Sequence, residues 1–345
     1  MNPLPKRTIE TTTANLLPRR LRFGAGVALF AGCLLSAAMP RAWAQDADWE
    51  IVKLKDRDYV TGSQIADFYK FEMTRDGERA TFSSPTMKME AVMDTDEVRL
   101  NGTTFLLSFP ITEHGGNILV SRVDLCKLLD PVFRPFSIKE AHDFDTVVID
   151  PGHGGKDSGS KGVYAYEKIY TLDLAKKLWK QLILRGFKVR FTRLDDEDLT
   201  LPERVTRANE AETAIFVSLH FNAHPSRQPS GLETYAITPP GTPTTGEYSA
   251  EPHTWRGNLR DAESIALATA VHTSALRATQ AADRGVRRAR FHVLRGLTMP
   301  GILFEGGYIT NPKECEEINQ DTYRYGMAVA IADGIDNFRA ALRKE

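Results

Sequence analysis

The stretch Val147-Val148-Ile149-Asp150-Pro151-Gly152-His153-Gly154-Gly155 joins a short apolar run to a glycine-rich loop that carries a histidine. Consecutive β-branched residues predict a strand that is buried on both faces. Similar apolar runs occur at 214–218 and 301–304, and segments with helical spacing of apolar residues lie between them. Strands that alternate with helices predict an α/β fold, in which a twisted, mostly parallel sheet carries helices on both faces.

Short local motifs predict where several elements begin and end. Asn101-Gly102, between two β-type runs, predicts a two-residue hairpin turn. Thr200, followed three residues later by Glu203, predicts the start of a helix. Gly186 predicts the end of the preceding helix, and residues 321–342 predict a helix that closes the chain.

Side chains that could bind a metal or transfer a proton follow these apolar runs or begin a helix: His153, Glu167, His220 and Glu305. Because sites in α/β sheets form where strands end, we expect His153, His220 and Glu305 just past strand ends. Two histidines and one glutamate leave the fourth position of a zinc site open, and a second glutamate beside them makes such a site catalytic. The pattern therefore predicts a zinc hydrolase.

Each of these residues also has a structural explanation. The helix dipole favours an acidic residue at a helix start, which would account for Glu167 without a metal. His220 could be a hydrogen-bonded core histidine, and Glu305 could form a salt bridge with Arg295. The glycine-rich loop could bind phosphate, but it lacks the Gly-Lys-Ser/Thr ending of a phosphate-binding loop.

His224 is a further candidate, four residues after His220. On a helix this spacing would place both rings on one face. Pro225 disfavours helical backbone at the residue before it, so a helix is not expected here. We therefore expect His224 either to contact the metal ligands without binding the metal or to lie on the substrate side of the site.

The stretch from about 146 to 338 resembles the zinc-dependent N-acetylmuramoyl-L-alanine amidases of the amidase-3 type. The shared features are, in chain order, Val148-Ile-Asp-Pro-Gly-His-Gly-Gly155 with Asp157, Glu167, Ser218-Leu-His-x-Asn-Ala223, Gly231-x-Glu-x-Tyr235, Arg284-Gly-Val286, Val293-Leu-Arg295 and Glu305-x-Gly307-Tyr-Ile-x-Asn311. The resemblance implies that His153, Glu167 and His220 bind zinc. It implies that Glu305 is the catalytic residue, and that the substrate is peptidoglycan, cleaved between N-acetylmuramic acid and L-alanine of the stem peptide.

The chemistry implied by this resemblance is hydrolysis by zinc-activated water, with Glu305 taking a proton and later giving one to the leaving amine. Two other functions stay open at this point. One is a zinc peptidase that cuts within the stem peptide, and the other is a non-catalytic wall-binding protein with the same fold. At the position of residues 238–260 of this chain, related enzymes can carry an insert that covers the site. Because this segment is short here, we expect no autoinhibitory helix, and whether it gates the site stays open.

Composition limits the partners and the kind of metal site. The formal net charge of −1 over 345 residues gives no bulk attraction to nucleic acid. The three cysteines, Cys33, Cys126 and Cys315, are too few for a disulfide scaffold or a thiolate zinc site. We expect peptidoglycan as the partner, with no nucleic acid and no stable membrane span in the mature chain. Whether an activator protein also binds stays open.

Residues 1–44 predict a signal peptide that is cleaved on export. The basic stretch at 19–22 precedes an apolar run at 23–35, and Ala42-Trp43-Ala44 offers a small-x-small cleavage site before Gln45. The apolar run is shorter than the ~20 residues of a membrane span, which disfavours an uncleaved anchor. We expect the mature protein in the periplasm or otherwise outside the cytoplasm, by the Sec or the twin-arginine route.

Residues 46–135 alternate short strands with turns and predict a small α+β module ahead of a catalytic domain at 144–342. Pro131 and Pro135 predict a linker between the two. Part of the module, residues 97–129, resembles the copper-amine-oxidase N-terminal-like modules found ahead of bacterial cell-wall enzymes. The segment has no set of copper ligands, so we expect the module to act as an adhesive element or a spacer.

Overall fold

The computed structural model of the protein describes residues 44–343. Residues 1–43, which contain nearly all of the predicted signal peptide, lie outside the described residues, as do 344–345. Ala44 is fully buried, and its amide donates to Asp130 Oδ2 at 3.0 Å. Within residues 44–343, every helix lacks the length or the apolar content that crossing a membrane requires.

The first part of the chain consists of short strands and short helices. The strands are β1 (Val52–Leu54), β2 (Arg57–Thr61), β3 (Glu72–Asp76), β4 (Arg79–Ser83), β5 (Lys88–Val92), β6 (Thr95–Leu100), β7 (Thr103–His114) and β8 (Asn117–Ser121). The helices are α1 (Gly62–Tyr69), α2 (Arg122–Asp124) and α3 (Asp130–Phe133). The predicted turn at Asn101-Gly102 is confirmed, because both residues have positive φ and join β6 to β7.

The second part of the chain alternates strands with longer helices. The strands are β9 (Thr146–Pro151), β10 (Lys188–Phe191), β11 (Ala214–Asn222), β12 (Leu232–Ile237), β13 (Thr242–Pro243), β14 (Ala250–Glu251), β15 (Asp283–Ala289) and β16 (Gly301–Tyr308). The helices are α4 (Glu167–Leu184), α5 (Leu201–Asn209), α6 (Asp261–Thr279), α7 (His292–Arg295), α8 (Pro312–Asn319) and α9 (Asp321–Leu342). The predicted capping box is confirmed, since Thr200 and Glu203 each accept the other's backbone N–H at the start of α5.

The mostly parallel sheet predicted for the second part is confirmed. Its strand order is β10-β9-β11-β16-β12-β15, and the pairing of β12 with β16 is antiparallel whereas the other neighbours are parallel. Val147 and Ile149 pack into one apolar cluster with residues of α4, α6 and α9, and Val148 packs into a second cluster with residues of α5 and α7. Helices therefore cover both faces of this sheet, and β9 is buried on both.

The first part of the chain extends the same sheet. Strand β15 pairs in parallel with β7 through Val286 and Phe105, and β6, β5, β4 and β3 follow in order. Asp283 Oδ2 accepts the Thr104 amide at 2.7 Å, and Arg288, which is almost fully buried, donates to the Lys127 carbonyl at 2.5 Å. These contacts tie residues 46–135 to the second part of the chain. The division of the chain into two domains stays a prediction.

The predicted linker at Pro131 and Pro135 is wrong. Pro131 occupies the first turn of α3, Pro135 begins a 3-10 turn, and both are buried. Arg134 between them is fully buried and donates to Asp130 Oδ1. Proline suits the first turn of a helix because its missing N–H is not needed there, so a pair of prolines does not by itself predict an exposed segment.

Candidate metal centre and active site

The glycine-rich loop after β9 is held by two arginines. His153 adopts a left-handed backbone conformation, with φ 61°, directly after Gly152. Arg204 donates to the His153 carbonyl at 2.6 Å, and Arg193 donates to the Gly152 carbonyl at 2.7 Å. Because both carbonyls accept from buried guanidinium groups, the loop has a defined path, which offsets the strain of positive φ at a residue other than glycine.

Asp150 anchors this arrangement from inside β9. Its fully buried carboxylate accepts from Arg204 Nη1 at 2.8 Å, Thr192 Oγ1 at 2.5 Å and Ser218 Oγ at 2.8 Å. Burial by itself would raise the pKa of Asp150, but the Arg204 charge and these donors outweigh burial and lower the pKa. The loop that presents His153 therefore rests on a buried ion pair.

Asp150→Asn is expected to lower the free energy of unfolding by about 3–5 kcal/mol, because it leaves the buried Arg204 guanidinium without its counter-charge. Chemical denaturation of the two proteins measures this loss. Asp145→Asn is the matched control, since Asp145 lies just ahead of the same strand and pairs with Lys188 at an exposed position. Equal unfolding free energies for the two variants would contradict the anchoring described here.

The structure brings His153, Glu167 and His220 together. Glu167 Oε1 lies 3.1 Å from His153 Nε2 and 3.1 Å from His220 Nδ1. One potential ligand atom from each residue lies within 4.8 Å of the other two, so this group could hold a metal ion. Burial would raise the pKa of Glu167, but the two histidines outweigh it and hold the pKa well below its usual range.

Glycines leave the space that these ligands occupy. A Cβ atom at Gly152 would lie 2.3 Å from the His220 ring, and one at Gly159 would lie 2.6 Å from the His153 ring and 2.7 Å from Glu167 Oε2. None of these three distances is compatible with a side chain at either glycine. The glycine-rich loop is therefore shaped to let two imidazoles and a carboxylate approach one point.

The outer atoms of the three side chains are also fixed. Asp157 Oδ2 lies 2.8 Å from His153 Nδ1, which leaves Nε2 directed toward Glu167. Glu167 accepts from the Ser160 amide at 3.0 Å and the Phe221 amide at 3.1 Å. Such partners orient metal-binding side chains and set the histidine tautomer. Glu167 also begins α4, so its position satisfies the helix dipole and the cluster together.

The expectation that His220 and Glu305 lie beyond strand ends is wrong. Strand β11 continues to Asn222 and β16 continues to Tyr308, so both residues lie within strands. In the parallel pairing of these strands His220 is the register partner of Glu305. Paired residues on neighbouring strands project from the same face, which places Glu305 beside the group that could hold a metal ion.

Glu305 is partly accessible, but its Oε2 atom is buried and lacks a hydrogen-bond partner among the described residues. Burial, together with the charges of Glu167 and Glu233, raises the pKa of Glu305 well above its usual range. The alternative salt bridge to Arg295 does not form within residues 44–343, because Arg295 instead stacks over the Trp255 ring at 4.4 Å. A carboxylate with a raised pKa and a free oxygen is suited to accept and release a proton.

A second buried carboxylate, Glu233, was not assigned a role from the sequence. It is the register partner of Glu305 on β12. Its oxygens accept from four side chains: Arg284 at 2.6 Å, Tyr308 at 2.8 Å, Tyr235 at 2.5 Å and Asn222 at 3.0 Å. A charged residue within the mostly buried strand Leu232–Ile237 is the pattern that could have revealed it, because a buried charge needs a partner.

His224 does not join the metal-binding group. It is exposed after the end of β11, where its Nδ1 lies 2.8 Å from Ser226 Oγ and its amide donates to Thr310. The segment 238–260 contains the short β13–β14 ribbon and a 3-10 turn at Arg256–Arg260, and no α-helix among its residues, all of which the structure describes. The expectation that this segment carries no autoinhibitory helix stays a prediction, and whether the segment gates the site stays open.

The Amidase_3 family model, described as N-acetylmuramoyl-L-alanine amidase, matches residues 147–337. This is more than half of the chain and includes all four candidate site residues. The chain belongs to the N-acetylmuramoyl-L-alanine amidase family. The match begins within β9 and excludes residues 46–135.

Individual members of the amidase family match the same region. The N-acetylmuramoyl-L-alanine amidase LytC of Bacillus subtilis is 35% identical over 190 residues, which are 55% of this chain and 34% of that protein. The amidase AmiC of Escherichia coli is 31% identical over 219 residues, covering 56% of this chain and 52% of that protein. The chain thus spans about a third to a half of the length of these curated relatives.

A solved structure with the same match is the catalytic domain of CwlV, an N-acetylmuramoyl-L-alanine amidase from Bacillus (Paenibacillus) polymyxa var. colistinus. Its sequence is 35% identical, the match covers 56% of this chain and 96% of that chain, and the TM-score is 0.48.

Proposed function

We propose that this protein is a zinc-dependent N-acetylmuramoyl-L-alanine amidase that cleaves peptidoglycan at the amide between the lactyl group of N-acetylmuramic acid and L-alanine of the stem peptide. The observation that carries the proposal is the pairing of His220 with Glu305, which puts a glutamate with a free oxygen beside a group of metal-binding side chains. Membership of the amidase family supports the reaction and the substrate.

The residues present fit zinc. Two imidazole nitrogens and one carboxylate oxygen form a donor set found in catalytic zinc sites, where the fourth position is left to water or substrate. His153, Glu167 and His220 would hold the ion, and Gly152 and Gly159 leave the space that these three side chains occupy. When bound, zinc polarises the scissile carbonyl and makes water a nucleophile near neutral pH.

Glu305 would supply the proton transfers. It takes a proton from the attacking water and then delivers a proton to the nitrogen of the leaving L-alanine. The buried setting that raises the pKa of its carboxyl favours the protonated state needed for the second step. The buried Oε2 atom has no hydrogen-bond partner among the described residues, so no described side chain would have to release it before it takes the proton.

The site of action follows from the same proposal. Residues 1–44 would direct export and be removed, and the enzyme would act in the periplasm or otherwise outside the cytoplasm. Relatives such as the probable cell wall amidase LytH of Staphylococcus epidermidis support a location at the wall. Residues 46–135 would form a module that acts as an adhesive element or a spacer, next to the catalytic domain at 144–342 with which it shares a sheet.

Product analysis tests this function. Incubation of purified peptidoglycan with the zinc-loaded protein is expected to release stem peptides with a free N-terminal alanine and glycan strands that keep the lactyl carboxyl group. Protein stripped of metal by a chelator is the control, and added zinc should restore release. Shortened peptides still attached to the sugar would identify a peptidase instead, and binding without any release would identify a non-catalytic wall-binding protein.

A further inference from the structure

A row of charged side chains crosses the sheet away from the metal-binding group. His220 is the register partner of Glu305, and Glu305 is the register partner of Glu233. On the next strand, Tyr235 is the register partner of Arg287. Since Glu233 and Tyr235 are two residues apart on one strand, these side chains all project from the face that carries the metal-binding histidine.

A β-bulge adds Arg284 to the same row. Leu232 pairs with Asp283 and Thr234 pairs with Val286, so Glu233 alone faces the two residues Arg284 and Gly285. Gly285 has φ +95°, a conformation that suits glycine, and a Cβ atom there would lie 2.8 Å from Leu106 on β7. Bulges next to active sites redirect a side chain, and this one directs Arg284 onto Glu233.

The arginines carry more positive charge than their neighbours neutralise. Glu233 is already saturated by four donors, one of which is Arg284 Nε. Arg287 lies 3.9 Å from Glu233 and uses its own Nε on the Arg284 carbonyl at 2.9 Å. Among the described residues, the terminal nitrogens of Arg287 have no hydrogen-bond partner, and its side chain is 24% exposed. Two guanidinium groups therefore face one carboxylate at a partly open edge of the site.

We propose that Arg287, supported by Arg284, binds a carboxylate of the stem peptide and selects substrates that carry a free carboxylate close to the scissile amide. The proposal rests on the proposed amidase function. Guanidinium groups bind carboxylates through two parallel hydrogen bonds, and two terminal nitrogens of Arg287 are available for them. The lactyl carboxyl of the muramic acid is consumed in the scissile amide, so the free carboxylates close to that bond belong to the peptide.

A pair of soluble N-acetylmuramoyl-dipeptides tests the proposal. They are identical except that the carboxylate on the Cα atom of the acidic second residue is replaced by a carboxamide in one of them, while both keep the side-chain carboxylate. The zinc-loaded protein is expected to prefer the carboxylate in kcat/KM by about 10- to 100-fold, the range that hydrogen bonds to a charged group provide. Arg287→Met should bring this ratio close to one, mainly through KM, and Arg287→Lys should retain part of it.

Arg190→Met is the control, because it removes the same charge from an exposed position on β10, at the opposite end of the catalytic sheet. It should keep the full preference for the carboxylate. Equal hydrolysis of both substrates by the unmodified protein would overturn the proposal. An Arg287→Met variant that loses activity on both substrates in equal proportion would also overturn it, since that result indicates a purely structural residue.

Failure of the amidase function is distinguishable from failure of this subsite. If the zinc-loaded protein cleaves neither dipeptide nor peptidoglycan, the proposed reaction is wrong. Calorimetric binding of the two dipeptides then decides the subsite: tighter binding of the carboxylate form that Arg287→Met abolishes supports it, and equal binding refutes it.

Discussion

Glu305→Gln is expected to lower kcat for amide hydrolysis by about 10²- to 10⁴-fold, the usual contribution of a positioned acid/base group. Glutamine keeps the size of the side chain but cannot accept a proton from water or return one to the leaving amine. The zinc content should stay at the level of the unmodified protein, because Glu305 is not one of the three clustered ligands. Release of stem peptides and elemental analysis measure the two quantities on the same sample.

The matched control is Glu316→Gln, the same change at an exposed position on α8, which should keep normal activity. Activity of Glu305→Gln within a few-fold of the unmodified protein would show that another group transfers the proton. A loss of zinc along with activity would instead place Glu305 among the ligands.

The same substitution has a consequence for stability in the metal-free protein. Because the pKa of Glu305 is raised in the folded state, the folded chain binds more protons than the unfolded chain above the unfolded pKa. The stability that this group contributes is therefore fully present below the unfolded pKa. It falls as the pH rises from the unfolded pKa through the raised folded pKa. Glutamine removes the dependence, so metal-free Glu305→Gln should be at least as stable as the unmodified protein at pH 8.

Short local motifs predicted one turn and one helix start correctly, but they did not predict which strands are neighbours in the sheet. Asn101-Gly102 and the Thr200–Glu203 box act within a few residues, and both form as predicted. The antiparallel placement of β12 and the pairing of β15 with β7 depend on contacts between distant segments, which no local pattern encodes. For the same reason Pro131 and Pro135 predicted a linker. In the structure Arg134 between them is fully buried, and the connection is packed.

The site shows the same division between local and distant information. His153 and His220 could be predicted because each follows an apolar run, but only His153 lies past a strand end, and His220 reaches Glu167 from within β11. Asp150 and Glu233 gained no role from the sequence, because their partners Arg204 and Arg284 lie about fifty residues away. A buried charge becomes interpretable only when its counter-charge is known.

His220→Ala is expected to remove zinc from the purified protein and to reduce hydrolysis to background. Loss of a residue that hydrogen-bonds to a metal ligand already weakens metal binding by about 10- to 100-fold. Loss of one of the three ligands themselves should weaken it further. Elemental analysis after dialysis measures zinc per chain, and circular dichroism checks that the partly exposed ring is not needed for folding.

His224→Ala is the control that separates the two histidines of this segment. His224 lies four residues further on, is exposed and contacts Ser226, so its removal should leave zinc bound. If His224→Ala loses zinc and His220→Ala keeps it, the ligand set is wrong. If both variants keep zinc and His220→Ala is inactive, His220 acts on the substrate instead, and the space beside Gly152 would hold a catalytic imidazole with no metal bound to it.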